Sequence, residues 1–388
     1  MYSRLITPPK HRSCFLFGPR GTGKTTWAKT TFPNAVYLDL LEAELFHDLL
    51  ANPQRLSHFI PQGFKGRIIL DEVQRVPELL HEVHRLIERQ RHQFILTGSS
   101  PRKLKRAGPN LLAGRALTLS LHPLSITELG GDFQLEHSLQ YGQLPSVYTQ
   151  SDPKKYLEAY VTTYLEEEIR QEGLTRNLSA FTRFLEAASF SQGSVLNMAS
   201  VARECAVERK VVEHYFSILE ELLMAYRIPV FSKKAKRRLV AHAKFYFFDV
   251  GVYRTVRPMG PLDTPQEADG IALETLVLQE LVALNSALDL GYKMYYWRTS
   301  DGREVDFVLY GTRGLLAFEI TKAARITSAT LAGLRSFVTD YPMAKAYVMY
   351  GGTRRMYDKN IEIVPVLDML KNLRVVLEGG RTRRPAGS

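Results

Sequence analysis

The chain has 388 residues, which is enough for two or three domains of about 100–200 residues each. Hydrophobic residues make up 45% of the chain and charged residues 23%, as in an ordinary globular protein with a real core. The formal net charge of +11 favours a polyanionic partner, nucleic acid before membrane. The alternative is a basic surface that has no such partner.

Three observations bear on the compartment. Cys14 and Cys205 are the two cysteines, and two cannot by themselves build a disulfide framework or a zinc site, so a reducing cytoplasm fits. The N-terminal residues MYSRLITPPKHRS lack the apolar core of a signal peptide. No apolar run approaches the roughly 18–20 residues that span a bilayer. We therefore expect a soluble, cytoplasmic protein with no membrane partner.

An apolar strand, a glycine-rich turn and a helix follow one another in residues 14–32. Within them, residues 18–25 satisfy the pattern G-x-x-x-x-G-K-[ST] in the strand–loop–helix setting that a phosphate-binding loop needs. The glycines let backbone N–H groups converge on phosphate oxygens at the positive end of the helix. We expect Lys24 to reach the β- and γ-phosphates and the Thr25 hydroxyl to hold Mg²⁺. The predicted nucleotide-binding residues are Gly18, Pro19, Arg20, Gly21, Thr22, Gly23, Lys24, Thr25 and Thr26.

Two strands end in polar side chains that suit phosphate chemistry. Asp71 and Glu72 follow the apolar run RIIL, at the edge where open α/β sheets bind ligands. We expect Asp71 to hold the Mg²⁺ shell and Glu72 to orient and deprotonate the attacking water; alternatively, Glu72 only caps the next helix. The strand HQFIL is followed by Thr97 and Ser99, either of which would contact the γ-phosphate or the water. An ordinary Gly–Ser turn is the alternative there.

These strands alternate with helical segments, which predicts an α/β fold with a parallel sheet and helices on both faces. The stretches GPRGTGKT, ILDE, ILTGSS and LAGR resemble the AAA+ ATPases over about the first third of the chain. The resemblance implies ATP and Mg²⁺ as cofactors and a homo-oligomer, with a hexamer expected. It also implies that Arg115 reaches the γ-phosphate of a neighbouring subunit, with Arg102 as second choice. The alternative for Arg115 is an ion pair inside its own domain.

The middle of the chain is helical. Residues 194–231 predict a short helix, a turn and a longer helix, the shape of a helix-turn-helix in a winged-helix-like domain. In a DNA-binding protein the second helix would face the groove, but Glu208 and Glu213 beside its basic residues repel phosphates. The alternative is a helical packing module with a solvated basic loop. The predicted nucleic-acid-binding residues are Arg209, Lys210, Lys233, Lys234, Lys236, Arg237 and Arg238.

The last third carries three acidic residues in a suggestive order. Glu274 lies on a predicted amphipathic helix, and Asp306 and Glu319 lie on two successive predicted strands. Together they could bind Mg²⁺ through oxygen ligands. This order resembles the PD-(D/E)xK nuclease fold, and also the C-terminal domain, of uncertain function, of one prokaryotic AAA+ ATPase family. With FYFFDVGVY and LEELLMAYRIP, that second resemblance covers nearly the whole chain.

The lysine of such a nuclease site is out of place. The nuclease pattern is E-x-K, whereas here Ile320 and Thr321 separate Glu319 from Lys322. Because side chains alternate along a strand, Thr321 shares the face of Glu319 and Lys322 points away. Thr321 cannot supply the positive charge that cleavage needs, and only a bulge would rescue Lys322. We expect a vestigial Mg²⁺ site, no appreciable DNA cleavage, and a domain that contacts DNA or serves assembly.

The sequence thus predicts an oligomeric, Mg²⁺-dependent ATPase that binds and remodels duplex or branched DNA in DNA processing or repair. Two other functions stay open: a nucleotide-gated switch with a protein partner in defence or toxin control, and an ATP-driven DNA nuclease. The predicted domains are an AAA+ ATPase core (1–130), a helical lid or linker (131–180), a winged-helix-like domain (181–240), an α/β nuclease-like domain (241–375) and a basic disordered tail (376–388).

Overall fold

The structure is a computed structural model, and it divides into two compact units. The first comprises Met1–His122 with Glu221–Met224, and the second Pro123–Glu220 with Ala225–Ser388. The finer division predicted from the sequence stays a prediction. The described residues are 2–102, 104, 112–165, 178–232, 243–260 and 264–380.

The first unit is built on a five-stranded sheet in the order β2-β3-β4-β1-β5. Each pair of neighbours is parallel, so the carboxyl ends of all five strands lie along one edge. The predicted parallel α/β sheet is therefore confirmed. Its strands are β1 (Ser13–Phe17), β2 (Val36–Asp39), β3 (Arg67–Asp71), β4 (Gln93–Gly98) and β5 (Ala116–Ser120).

Helices cover both faces of this sheet. Because successive residues of a strand point to opposite faces, Ile68 and Leu70 of β3 join one apolar cluster with Val83, whereas Ile69 joins another with Trp27. The two clusters fix the sheet between its helices and hold the strand ends rigidly. The helices are α1 (Lys24–Thr31), α2 (Ala43–Ala51) and α3 (Leu79–Gln90), with 3₁₀ turns at Pro53–Phe59 and Val73–Arg75.

The second unit begins with helices whose starts follow sequence signals. Ser125 and Glu128 form a capping box at the first of them, and the Asp152 side chain caps the helix that begins at Pro153. These helices are α4 (Ile126–Leu129), α5 (Leu135–Tyr141), α6 (Pro153–Ala159), which continues as a π-helix (Tyr160–Leu165), α7 (Leu178–Ser189), α8 (Met198–Cys205) and α9 (Arg209–Glu221).

Helices α8 and α9 follow each other as the predicted helix-turn-helix shape requires. Ala206 ends α8 in the left-handed region, with a φ of 53°, and α9 begins three residues later. Val201, Val212 and Phe216 bury the apolar side of the pair. An antiparallel hairpin of β6 (Ala225–Ile228) and β7 (Lys244–Phe247) comes next.

A mixed sheet of six strands dominates the rest of the second unit, in the order β12-β13-β11-β10-β9-β8. The residues after β7 form a short helix, whose start is stabilised because the buried Asp249 carboxylate accepts hydrogen bonds from the N–H groups of Gly251 and Val252 at 2.9 and 3.2 Å. No helix among the described residues is long and apolar enough to cross a membrane. The strands are β8 (Lys293–Arg298), β9 (Glu304–Gly311), β10 (Gly314–Ile320), β11 (Lys345–Tyr350), β12 (Met356–Asp358) and β13 (Ile361–Pro365). The helices are α10 (Val250–Val256), α11 (Pro265–Ala287), α12 (Ser328–Asp340) and α13 (Val366–Leu377).

Candidate nucleotide site and a carboxylate cluster

The predicted phosphate loop connects β1 to α1. Gly21 and Gly23 have φ values of 82° and 86°, a region that side chains other than glycine rarely adopt. A Cβ on Gly18 would lie 2.2 Å from the Leu121 carbonyl oxygen, so this position also requires glycine. Arg20 and Thr26 are exposed. The loop therefore has the conformation that lets its backbone approach phosphate oxygens at the start of a helix.

Lys24 is held inside the loop by neutral acceptors. Its Nζ donates to the carbonyl oxygens of Gly18 at 2.8 Å and Pro19 at 3.2 Å, and the side chain is buried. The Thr22 hydroxyl donates to the same Pro19 carbonyl at 2.8 Å. Since a charged acceptor binds an ammonium more strongly than a carbonyl does, Lys24 can exchange these contacts for phosphate oxygens.

Asp71 lies at the end of β3 and accepts hydrogen bonds from three hydroxyls. The Thr25 hydroxyl lies 2.7 Å from Oδ2, Tyr37 donates to the same oxygen, and Thr97 donates to Oδ1. Burial first, and then the hydrogen bond to Asp71, raise the pKa of Tyr37 well above its ordinary value, so the phenol stays a proton donor. All three partners are neutral, and Thr25 and Asp71 are already adjacent, as shared Mg²⁺ coordination requires.

Glu72 is placed by strained backbone and by a glutamine. Its φ is 59°, an uncommon value for a non-glycine residue and one that marks functional sites. Its N–H donates to the Thr97 hydroxyl at 3.3 Å. The Gln74 amide donates to the Glu72 carboxylate and to the Ser99 hydroxyl, the latter at 3.3 Å. The Glu72 side chain makes no capping hydrogen bond to the turn that follows, so the capping alternative is wrong.

The two candidate arginines are both engaged within the first unit. The Arg115 Nε lies 2.5 Å from Glu88 Oε1, in a pair whose members are 40% and 46% exposed. Arg102 is buried and pairs with Glu221. The ion pair inside its own domain, which was the alternative for Arg115, is therefore present in the single chain.

In the second unit the three predicted carboxylates meet a fourth acid and a lysine. The Lys244 Nζ lies 2.6 Å from Glu304 Oε1, 3.3 Å from Glu274 Oε1 and 3.4 Å from Asp306 Oδ1. Only 3% of the Lys244 side chain is exposed. We call Lys244, Glu274, Glu304, Asp306 and Glu319 the carboxylate cluster.

Further hydrogen bonds stabilise parts of the carboxylate cluster. The Tyr246 hydroxyl donates to Glu274 Oε1, and the Ile320 N–H donates to Asp306 Oδ2 at 2.8 Å. Glu319 Oε2 is buried and has no hydrogen-bond partner among the described residues. The acids of the cluster therefore differ in their hydrogen bonding: Glu274 and Asp306 accept hydrogen bonds, and Glu319 Oε2 accepts none from the described residues.

The ionisation of the cluster follows from burial and from these contacts. Burial first, and then the charge of Asp306, raise the pKa of Glu274 to about 7. Burial, and then its acidic neighbours, raise the pKa of Glu319 well above its ordinary value. Burial alone would lower the pKa of Lys244, but the surrounding carboxylates outweigh it and raise that pKa. Lys244 therefore stays an ammonium ion.

Lys322 does not reach the cluster. Its Nζ lies 2.7 Å from Asp269 Oδ2, and β10 pairs with β11 in continuous register through Glu319 and Ile320, without the bulge that would turn it. The expectation that Lys322 points away is confirmed. The expectation of acids without a lysine was wrong, because Lys244 lies among them. No group of three or more His, Cys, Asp or Glu side chains in the described ranges has the arrangement of a metal site, and the Mg²⁺ site at Glu274, Asp306 and Glu319 stays a prediction.

The structure adds four residues that the sequence analysis missed: Tyr37, Gln74, Lys244 and Glu304. Tyr37 and Gln74 hold Asp71 and Glu72, and nothing in their local sequence indicates it. Lys244 carried a signal, because strand alternation places it on the same face as Tyr246, and both contact Glu274.

Of the predicted nucleic-acid residues, Arg209 and Lys210 are at the start of α9 and exposed. The Arg209 Nε lies 2.8 Å from Glu213 Oε1, so its charge is partly offset. The other five predicted contacts lie outside the described residues: Lys233, Lys234, Lys236, Arg237 and Arg238.

Three family matches divide the chain. Residues 10–130 match a family described as AAA domain, and residues 132–263 and 269–369 match two domains of unknown function, DUF8612 and DUF4143. Uncharacterised proteins of Mycobacterium bovis and Mycobacterium tuberculosis are each 26% identical over 347 residues, which cover 88% of this chain and 76% of the relative. An uncharacterised protein of Haemophilus influenzae is 22% identical over 285 residues, 68% of each chain.

Two solved structures show weak similarity. The ORC1 protein of Aeropyrum pernix, in complex with DNA, is 14% identical with a TM-score of 0.27, covering 64% of this chain and 87% of that chain. A Vibrio cholerae protein is 13% identical with a TM-score of 0.23, covering 89% and 97%. Neither TM-score supports an argument about this chain. The phosphate loop and the acids at the end of β3 both lie within residues 10–130, the part of the chain that is similar to the AAA domain family.

Proposed function

We propose that the protein is a Mg²⁺-dependent ATPase. The observation that carries the proposal is the meeting of Lys24, Thr25, Asp71 and Glu72 at the carboxyl edge of one parallel sheet. The site fits Mg²⁺-bound ATP on two further grounds: the Gly18 position admits no side chain, and the oxygen donors beside the loop are those that Mg²⁺ prefers. When bound, ATP supplies the phosphoanhydride to be cleaved and Mg²⁺ offsets charge on its phosphates.

Each side chain of the site has a distinct role in the proposed reaction. Lys24 leaves the Gly18 and Pro19 carbonyls to donate to phosphate oxygens, which stabilises the charge that grows there. Thr25 and Asp71 hold the metal. Glu72 orients water and takes its proton, and Thr97 fixes Asp71 and the Glu72 N–H relative to each other.

Phosphate release from ATP tests the proposal directly. The wild-type chain is expected to release phosphate in Mg²⁺ and to stop when EDTA removes the metal. A chain that binds an ATP analogue but releases no phosphate, with DNA present or absent, would reduce the proposal to nucleotide binding.

For the substrate on which this ATPase acts, we propose DNA. The net charge of +11 and the two helices α8 and α9 with Arg209 and Lys210 at the start of the second support a DNA-remodelling role. ATP hydrolysis measured with duplex, branched and single-stranded DNA should be stimulated by at least one of them, and binding should weaken steeply with salt. Indifference to all three would remove DNA from the account.

We further propose that the protein works as a homo-oligomer, with a hexamer expected, in which Arg115 acts on the neighbouring subunit. The Arg115–Glu88 pair is half exposed, and exposed ion pairs are weak because solvent screens them, so a γ-phosphate can displace Glu88. A mixture of Arg115→Ala and Lys24→Ala chains should then recover part of the hydrolysis that each lacks. No recovery, with a monomeric mass in ATP, would contradict assembly.

A nucleotide-gated switch with a protein partner is the second candidate. The hydrogen bond from Gln74 to Glu72 favours it, because a base that is tied to an amide would turn over slowly. This function predicts slow hydrolysis that DNA does not change. Both candidates are placed in the cytoplasm, a proposal that the two free, buried cysteines support.

A further inference from the structure

The carboxylate cluster gathers acids from three elements and closes them with a lysine from a fourth. Glu274 comes from α11, Glu304 and Asp306 from β9, and Glu319 from β10. Lys244 comes from β7, the second strand of the hairpin. Three of these acidic side chains, from Glu274, Glu304 and Asp306, contact the one buried ammonium.

We propose that Lys244 is the built-in cation of this cluster and occupies the position that a divalent metal ion would need. Carboxylate-bound Mg²⁺ or Ca²⁺ lies about 2.0–2.6 Å from its oxygen ligands. Here oxygens of Glu274, Glu304 and Asp306 converge on one Nζ within 2.6–3.4 Å. A metal ion at the same oxygens would lie within a few ångströms of the ammonium, in a buried place where charge repulsion is strong.

The lysine is fixed in this position by its strand. β7 pairs with β6 in antiparallel register through Lys244 itself, and Tyr246, on the same face, donates to Glu274. The cation is therefore part of the fold and cannot be lost by dilution or chelation, unlike a metal ion. It ties the hairpin to α11 and β9, so the second unit should fold without divalent metal.

One acid of the cluster keeps an oxygen without a partner. Glu319 Oε2 is buried without a hydrogen-bond partner among the described residues, and Lys244 contacts the other three acids. Removing the Lys244 amine should thus leave a negative cavity in which a divalent ion finds oxygen ligands from several elements.

Thermal unfolding with Mn²⁺ as the probe tests this inference on the full chain, without nucleotide. Lys244→Ala should lower the melting temperature in EDTA, and Mn²⁺ should restore it. Mn²⁺ at about 100 times its dissociation constant is expected to raise that temperature by roughly 5 °C or more. Wild-type protein and the matched variant Lys293→Ala, an exposed lysine on β8, should show neither effect. Adding Glu319→Gln to Lys244→Ala should abolish the rescue.

Two results would overturn the inference. One is a wild-type chain that binds Mn²⁺ by calorimetry with an affinity that Glu319→Gln removes. The other is a Lys244→Ala chain that loses stability and gains none from Mn²⁺. If Lys244→Ala does not accumulate, Lys244→Met, which keeps the apolar stem, is refolded with and without Mn²⁺. Recovery only with metal supports the inference, and failure in both conditions or equal recovery in both contradicts it.

Discussion

The candidate nucleotide site and the carboxylate cluster are both built from a lysine and acidic residues, but these side chains have different partners in the two places. In the first, Lys24 donates hydrogen bonds to carbonyl oxygens and Asp71 accepts hydrogen bonds from hydroxyls. In the second, Lys244 contacts carboxylates directly. The difference teaches that a set of acids and a lysine does not define a metal site; the partners that each charge already has decide whether an ion can enter.

The backbone element that carries each lysine explains the difference between their partners. The phosphate loop places the Lys24 ammonium within hydrogen-bonding distance of the backbone carbonyls of Gly18 and Pro19. The strand β7 places Lys244 in contact with acidic side chains of two other elements, α11 and β9. Lys24 can therefore exchange its carbonyl partners for a ligand, whereas Lys244 is held by carboxylates of the folded chain.

The largest effect should come from Glu72→Gln. Without a base the water keeps its proton, and hydrolysis should fall by about 10²–10⁴-fold. Affinity for an ATP analogue should stay the same, because Glu72 faces the water and not the phosphates. Single-turnover kinetics with parallel analogue titration measure both, and unchanged turnover would remove Glu72 from the chemistry.

Lys24→Ala should follow, with a loss of about 10²–10³-fold in kcat/KM for ATP, the usual result of deleting one donor to a developing negative charge. Lys65→Ala, an exposed lysine of the same unit, is the matched control and should leave the kinetics unchanged. Equal behaviour of the two variants would mean that Lys24 never exchanges its carbonyl partners for phosphate.

A third prediction concerns Glu280, a buried acid of the second unit whose carboxyl group keeps its proton. Glu280 is buried, and its Oε1 accepts from the Ile126 N–H at 2.8 Å. Burial raises the pKa of Glu280 from 4.5 to about 8. The hydrogen bond from the Ile126 N–H lowers this pKa, and the charge of Glu128 raises it. The folded chain therefore holds a proton that the unfolded chain has released, and the stability this provides is complete below about pH 4.5 and lost as the pH rises through about 8.

Urea unfolding across this pH range measures the effect. The free energy of unfolding of the second unit should decrease by a few kcal/mol as the pH rises, and Glu280→Gln should flatten the decrease. A wild-type slope of the opposite sign would show that Glu280 is ionised in the folded chain.

The smallest effect is expected for Gln74→Ala. Because this change frees the Glu72 carboxylate from a hydrogen bond worth about 1 kcal/mol, turnover should rise roughly threefold to tenfold. Steady-state hydrolysis with saturating ATP measures it. A decrease instead would make Gln74 a residue that positions Glu72 for catalysis.

Local sequence patterns indicated the residues of the candidate nucleotide site. Contacts between residues far apart in the sequence could not be predicted in this way. The residues of the phosphate loop lie within eight positions of each other, and Asp71 is marked by the apolar strand that it ends, so both could be inferred without a structure. Tyr37 reaches Asp71 from another strand, and Lys244 reaches Asp306 across 62 positions. Such contacts depend on how elements pack, which spacing does not reveal.

The number of Mn²⁺ ions bound per chain tests the central contrast most directly. Equilibrium dialysis of wild-type protein with a non-hydrolysable ATP analogue should give one ion, and Lys24→Ala, which should bind the nucleotide more weakly, should give far less than one at the same analogue concentration. A second ion in the wild-type chain that persists in Lys24→Ala and disappears in Glu319→Gln would contradict the account, because the carboxylate cluster would then be a metal site with Lys244 in place.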